Sequence, residues 1–236
     1  MSRPEREGAV RASGIRENLV VLERRIVAAC ERADRQRHHV TLVAVTKTFP
    51  AADVAHAIAA GATDVGENKV QEARDKKPLV TAPARWHLIG HLQSNKAKDA
   101  VRLFDVIQSV DSSELAEKLA RVAESMGKRQ EVLLQVNVGR EAQKSGVEVT
   151  EVPSLAKQIA ALPSLHLAGL MAIPPAGEAE AMRPYFRELR TLRDDLGLTE
   201  LSMGMTDDFE VAIEEGATII RVGRAIFGMR SKEQST

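Results

Sequence analysis

The 236-residue sequence predicts an α/β fold, a single (β/α)8 TIM-type barrel with an extra amino-terminal helix. Three observations lead there. Short apolar runs alternate with amphipathic helical stretches along the chain. Eight of these runs qualify as strands. Several are almost continuously apolar, as strands covered on both faces are. The length suits one barrel domain. An open doubly wound sheet is the alternative for the same alternation.

Each element carries its own signal. The predicted strands are 40–46, 64–66, 86–89, 106–109, 131–138, 166–172, 200–203 and 218–222. A helix over 15–35 precedes the first strand and is expected to cover the lower opening or the flank of the barrel. Helix 51–60 follows the first strand. The stretch 113–126 places Leu115, Leu119, Val122 and Ala123 at helical spacing. Helix 150–161 opens on a polar residue, helix 178–196 ends at Gly197 and helix 207–215 ends at Gly216. Segments 127–129 and 174–177 read as loops. There is no internal repeat, low-complexity tract or long linker. Residues 15–230 therefore read as one domain, with 1–14 a flexible amino terminus and 231–236 a flexible polar tail.

Composition narrows the function. Hydrophobic residues make up 44%, and Lys plus Arg equals Asp plus Glu at 33 each. Zero net charge argues against a nucleic-acid or anionic-membrane binder. Aromatics at 3% leave few base-stacking platforms. The single cysteine, Cys30, excludes an internal disulfide and a cysteine-based metal cluster. It falls on an apolar helix face, where a structural thiol is expected. Residues 1–14 lack the apolar core of a signal peptide. No apolar run approaches the roughly 20 residues that span a bilayer. The expected compartment is the cytosol.

The chemistry concentrates at the carboxyl ends of the strands, where barrels of this type place their active sites. Lys47 ends the first strand. A lysine at that end of an apolar strand is costly to bury unless it pairs with a carboxylate or serves as an amine. A desolvated ammonium loses its proton more easily, and the neutral amine attacks aldehydes. After strands seven and eight, Ser202 and Thr206 supply hydroxyls, while Gly204 and Gly223 let backbone amides approach a phosphate. An amine facing a phosphate cup suits a molecule holding both an aldehyde and a phosphate, pyridoxal phosphate being the candidate. Arg221, just before Gly223, either pairs with an acid inside the barrel or meets the pyridine nitrogen, which it would leave unprotonated. Asp207 and Asp208 are expected to cap the helix that follows. His87 and His91 stand four apart with no third ligand in view, so no metal is expected. Ser94, Asn95 and Lys96 read as the start of a solvated helix. No dinucleotide loop, Walker motif or nucleophile elbow is present.

Seven ordered motifs then carry a resemblance: Ala44-Val45-Thr46-Lys47-Thr48, Gly66-Glu67-Asn68-Lys69, Trp86-His87-Leu88-Ile89-Gly90-His91, Lys144-Ser145-Gly146, Gly169-Leu170-Met171-Ala172-Ile173-Pro174, Ser202-Met203-Gly204-Met205-Thr206-Asp207-Asp208 and Arg221-Val222-Gly223-Arg224-Ala225. From the first strand to Gly228 the chain resembles the pyridoxal phosphate homeostasis proteins. The resemblance implies a barrel like the amino-terminal domain of bacterial alanine racemase. It implies pyridoxal phosphate held on Lys47 as an internal aldimine, with Ser202, Gly204, Thr206, Gly223 and Arg224 around the phosphate. It also implies Arg221 at the pyridine nitrogen and Asn68 near the ring. Thr206 replaces the family's usual serine and keeps the hydroxyl. Arg224 stands where threonine or serine is common, so its backbone amide is the contact carried over, and its side chain either adds charge at the phosphate or turns to solvent.

Family members bind, store or hand over the cofactor, which makes cofactor-dependent apo-enzymes the expected partners of a monomer with neither nucleic-acid nor membrane partners. Racemases of this barrel type use a second base from a separate domain. Here the chain ends soon after the last strand, and the only tyrosine, Tyr185, lies in a charged helical stretch. That favours a carrier over the alternative, a low-activity racemase or lyase. A Schiff-base aldolase acting on a sugar phosphate ranks third.

Overall fold

Eight parallel strands close into a barrel in chain order: β1 Thr41–Val45, β2 Asp64–Glu67, β3 Arg85–Leu88, β4 Val106–Val110, β5 Gln130–Val136, β6 Leu165–Ala172, β7 Glu200–Ser202 and β8 Ile219–Val222. The protein is described from a computed structural model covering residues 2–141 and 143–229. Closure is made by β8 pairing back onto β1, with Thr41 opposite Ile219 and Ala44 opposite Val222. The open-sheet alternative is thereby excluded.

Alternation along the strands separates two cores. Val43, Val106, Leu133, Ala168, Met171 and Ile219 fill the lumen. Ala44, Val65, Leu88, Ile107, Val132 and Leu170 belong to the larger apolar cluster shared with the helices. Both faces are buried, which is why these strands read as continuous apolar runs.

The outer helices are α1 Arg3–Arg32, α2 Ala51–Ala59, α3 Val70–Lys76, α4 Ala97–Leu103, α5 Ser113–Ser125, α6 Val152–Ala160, α7 Ala179–Asp195, α8 Phe209–Glu214 and α9 Arg224–Phe227. The strongly periodic helices were legible. The seven-residue α3 and α4 carry little periodic signal, since each offers only two or three buried positions. Ser94–Lys96 forms the 3-10 turn leading into α4. α5 carries a side-chain cap, with the Leu115 N–H donating to Ser112 Oγ, whereas the polar opening expected of helix 150–161 makes no side-chain cap bond at α6.

α1 begins at Arg3, so the expectation of a flexible lead over 1–14 gives way to a helix from that residue on. The Ser2 N–H donates to Glu5 Oε2 at 2.6 Å, half of a reciprocal capping box. Farther along, the Arg11 guanidinium grips Asp53 on α2 through Nε at 3.1 Å and Nη2 at 2.7 Å. That contact spans 42 residues of sequence, and local patterning does not reveal it. The expected tail 231–236 lies outside the described residues.

Ile15, Leu19, Leu22 and Ile26 on α1 are buried. Their face packs on α2, α8 and α9, so α1 bridges the first and last βα units across the seam where the barrel closes. Asn18 Nδ2 donates to the Ile226 carbonyl at 2.9 Å, and Arg25 and Arg32 pair with Glu210 and Glu214 at 2.8 Å. Leu19 lines a cleft together with Thr41, Leu42 and Asp64 at the start of β1 and β2. Cys30 is buried on this helix, and burial pushes its thiol pKa up, as expected of a structural cysteine. Among the described residues, no helix is long and apolar enough to cross a membrane.

Candidate functional site

β1 stops at Val45, and Thr46 to Phe49 turn across the carboxyl end of the barrel. Val43 faces the lumen, so Val45 and Lys47 share its phase. Lys47 is half-buried and lines a cavity of about 730 Å³ at the mouth. Its turn is held from behind. Thr48 adopts φ +69°, a left-handed conformation unfavourable for a β-branched residue. The Thr48 N–H donates to Glu72 Oε2 at 2.7 Å. Lys76 Nζ donates to the Thr46 carbonyl and Glu67 Oε1, both at 2.8 Å, and to Glu72 at 3.2 Å. Thr46 Oγ1 donates to Glu67 Oε1 at 2.6 Å.

Burial pushes Glu67 up to about 7, against the pull of Lys76 and Thr46. Burial acts on Glu72 in the same sense, but the Thr48 N–H and Lys76 bring it below the usual carboxylate range.

Thr206, Asp207, Asp208, Arg221, Gly223 and Arg224 line the same cavity, with Asn68 contributed by the residue after β2. Gly223 lies close against the end of β1: a Cβ there would sit 3.2 Å from the Val45 carbonyl oxygen, a tight contact. Asp208 occupies the N-cap position of α8 but makes no side-chain cap bond. Its carboxylate accepts the Met205 N–H at 2.6 Å instead and ties the loop after β7. The expected capping role therefore gives way to a loop clamp. Burial raises the Asp208 pKa, opposed by that N–H and by Arg221. The Arg224 guanidinium pairs with Asp207, linking the loops after β7 and β8.

Arg221 is buried, and burial lowers its pKa to about 10 with Asp208 pulling the other way. It stays charged at neutral pH. Nη1 donates to Ser202 Oγ at 2.6 Å, and Nη2 donates to the Ala172 carbonyl at 2.9 Å.

The cavity thus brings together Lys47, Asn68, Thr206, Arg221, Gly223 and Arg224, whereas Ser202 and Gly204 lie behind its wall. Ser202 is fully buried in the lumen. Gly204 has φ +90° and packs so closely that a Cβ would meet Ala212 Cβ at 2.6 Å. His91 and Ser145 were not among the expected cofactor ligands, yet they line the cavity with Lys144 from the loops after β3 and β5. Their place past the strand ends, and the Lys144-Ser145-Gly146 motif, were the available signals. His87 points into the lumen, away from His91. No group of three metal-ligating side chains occurs among the described residues. The cavity lining contains no tyrosine.

The donor set suits pyridoxal phosphate. An amine, a threonine hydroxyl, a glycine-lined loop and a guanidinium converge on one cavity with room for the ring and its substituents. Comparison with known proteins agrees. Residues 10–231 match the family model described as "Alanine racemase, N-terminal domain". A pyridoxal phosphate homeostasis protein from Pseudomonas aeruginosa is 46% identical over 222 residues, covering 92% of this chain and 96% of the relative. Another so named, from Aquifex aeolicus, is 44% identical over 218 residues, covering 89% and 95%. Among solved structures, PipY of Synechococcus elongatus with pyridoxal phosphate bound superposes with a TM-score of 0.80 at 39% identity, over 91% of this chain and all of that one. A barrel closed in chain order, a lysine at the end of its first strand and relatives matched over nearly their full length place the chain in the alanine racemase N-terminal domain family, among the pyridoxal phosphate homeostasis proteins.

Proposed function

We propose that this protein binds pyridoxal phosphate covalently at Lys47 and serves the intracellular homeostasis of that cofactor. The convergence of Lys47, Arg221 and the loops after β7 and β8 on one cavity carries the reading. When bound, the cofactor supplies an aldehyde that condenses with a primary amine, with loss of water.

The chain's own groups divide the remaining work. Lys47 is the amine, held by a turn braced through Glu72 and Lys76. Thr206, Gly223 and the Arg224 backbone receive the phosphate, and Arg224, paired with Asp207, fixes the two loops that form the cup. Gly204 gives the first loop its path, and Asn68 lies beside the ring. Arg221 meets the ring nitrogen as a pure donor, so the ring is left unprotonated and a weak electron sink. That suits holding a cofactor over carbanion chemistry. The expected role is a cytosolic carrier whose cargo passes to cofactor-dependent apo-enzymes.

The experiment is mass spectrometry of protein incubated with pyridoxal phosphate and reduced with borohydride. The expected result is one cofactor-sized increment on the peptide containing Lys47, lost in Lys47→Ala. Reduced protein without that increment overturns the reading.

A further inference from the structure

Apolar side chains do not fill the barrel lumen alone. Inward positions of five strands bring together Asp64, His87, Gln108, Ser202 and Arg221, all buried. They are hydrogen-bonded in series. Arg221 Nη1 reaches Ser202 Oγ at 2.6 Å, and Ser202 Oγ reaches Gln108 Oε1 at 2.6 Å. Gln108 Nε2 lies 2.9 Å from His87 Nδ1, and His87 Nε2 lies 2.8 Å from Asp64 Oδ1. None of the five leaves a buried polar side-chain atom without a partner.

The direction of the chain is fixed from both ends. Arg221 can only donate, so the single Ser202 proton goes to Gln108 Oε1. The amide then presents Nε2 to the imidazole, and Nδ1 must accept. The imidazole proton therefore sits on Nε2, facing Asp64, a carboxylate that accepts. Donation runs one way from Arg221 to Asp64 with no conflict. A protonated Nδ1 would set donor against donor at Gln108.

A lumen of this size is readily filled by branched aliphatic residues, and buried polar groups are costly unless every one is paired. Five paired polar residues crossing it call for a purpose. Of the five, only Arg221 lines the cavity, while Asp64 opens β2 at the lower end of the barrel. Two of the guanidinium's donors are committed to Ser202 and Ala172, which fixes the plane in which the others lie.

Resting on the cofactor reading above, we propose that Asp64, His87 and Gln108 are positioning residues that act through Ser202, a one-way hydrogen-bond relay across the lumen that holds the donor face of Arg221 on the ring nitrogen of bound pyridoxal phosphate. Polarisation along the series couples the two ends. Because coupling is reciprocal, loading the cavity must be felt at His87.

Nitrogen NMR of the ¹⁵N-histidine-labelled full chain tests this, with His87 picked out from the six histidines by its absence in His87→Gln. The expected result is an Nε2–H tautomer in cofactor-free protein and a displaced His87 resonance after pyridoxal phosphate is added. In Ser202→Ala the Lys47 adduct still forms by mass spectrometry but the displacement is lost, and Ser202→Thr restores it. In Asp64→Asn, loss of the far carboxylate moves the pH midpoint of the bound chromophore downward. An Nδ1–H or doubly protonated His87 overturns the relay, and this reading is made on wild-type protein whatever the variants' stability. An adduct on Lys47 with an unmoved His87 overturns the relay and leaves the cofactor reading intact. A wild-type protein that forms no adduct overturns both.

Discussion

Arg221 and Ser202 share a 2.6 Å hydrogen bond inside the barrel, and that bond sorts the residues of the last two strands. Ser202 gives its lone pair to the guanidinium and its proton to Gln108, so its hydroxyl is committed within the lumen. In the proposed reading the cup is formed by Thr206, Gly223 and the Arg224 backbone, one loop farther out. A serine that reads as a phosphate ligand by position supports the arginine beside it.

Replacing Arg221 with lysine keeps the charge and removes the fork. The guanidinium reaches Ser202 and the Ala172 carbonyl from two nitrogens at once. A shorter stem ending in a point charge is expected to satisfy one of them. The buried acceptor left behind should cost about 1–2 kcal/mol. Urea unfolding of cofactor-free Arg221→Lys is the measurement, and an unfolding free energy equal to wild type would contradict this account.

Gly204 is fixed by backbone and by space together. Its φ of +90° disfavours any side chain, and the Cβ of an alanine would press on Ala212. Gly204→Ala should lose about 2–4 kcal/mol. Adding Ala212→Gly removes the clash and leaves the backbone cost, so the double variant should recover part of the loss. A double variant no more stable than Gly204→Ala, read by thermal unfolding, would count against the steric share.

Lys47 was legible because an apolar run of strand length ends there and cannot continue through Pro50. The carboxyl ends of the later strands were legible by the same logic, which is how Thr206, Arg221 and Gly223 emerged together. Contacts between distant strands left no such trace. Gln108 interrupts the apolar run of β4, and that anomaly was its one local signal. Its partner on β3 comes from the adjacent strand, whereas its partner on β7 becomes a neighbour only when the sheet closes. The brace behind Lys47 joins Glu67 and Lys76 across a helix too short to announce itself by periodicity. The amino-terminal part of α1 is polar and reads as a loose lead, since its ion pair with Asp53 on α2 joins residues far apart in sequence.

That ion pair can be tested directly. Asp53 is buried on α2, and Arg11 bonds both of its carboxylate oxygens. Arg11→Ala strands a buried carboxylate and should lower stability by about 1–2 kcal/mol. Glu17→Ala, on the exposed side of the same helix, should change it by less than about 0.5 kcal/mol. Proteolysis should begin earlier in the segment before Ile15 in Arg11→Ala than in wild type. Equal cleavage of the two proteins would show that the ion pair does not hold this segment.

Glu67 gives the fold a pH dependence whose sign can be worked out. Its side chain is buried between the barrel and α3, and burial raises its pKa from 4.5 to about 7 despite Lys76 and Thr46. Between those values the folded protein holds a proton that the unfolded chain has released. The native state binds more protons, so this group's contribution to stability falls as pH rises through that window and levels off above it. The full drop is at most about 3 kcal/mol. Glu67→Gln cannot ionise and keeps an oxygen for Thr46 and Lys76. Asp111 and Asp208, with raised pKa values, and Glu72, with a lowered one, add their own pH dependence, so the informative quantity is the difference between variant and wild type. Relative to the variant, wild type should be progressively less stable from pH 5 to about pH 7, with the difference levelling off above that. Parallel stability curves for the two proteins over that range would mean that Glu67 is already ionised in the native state at pH 5.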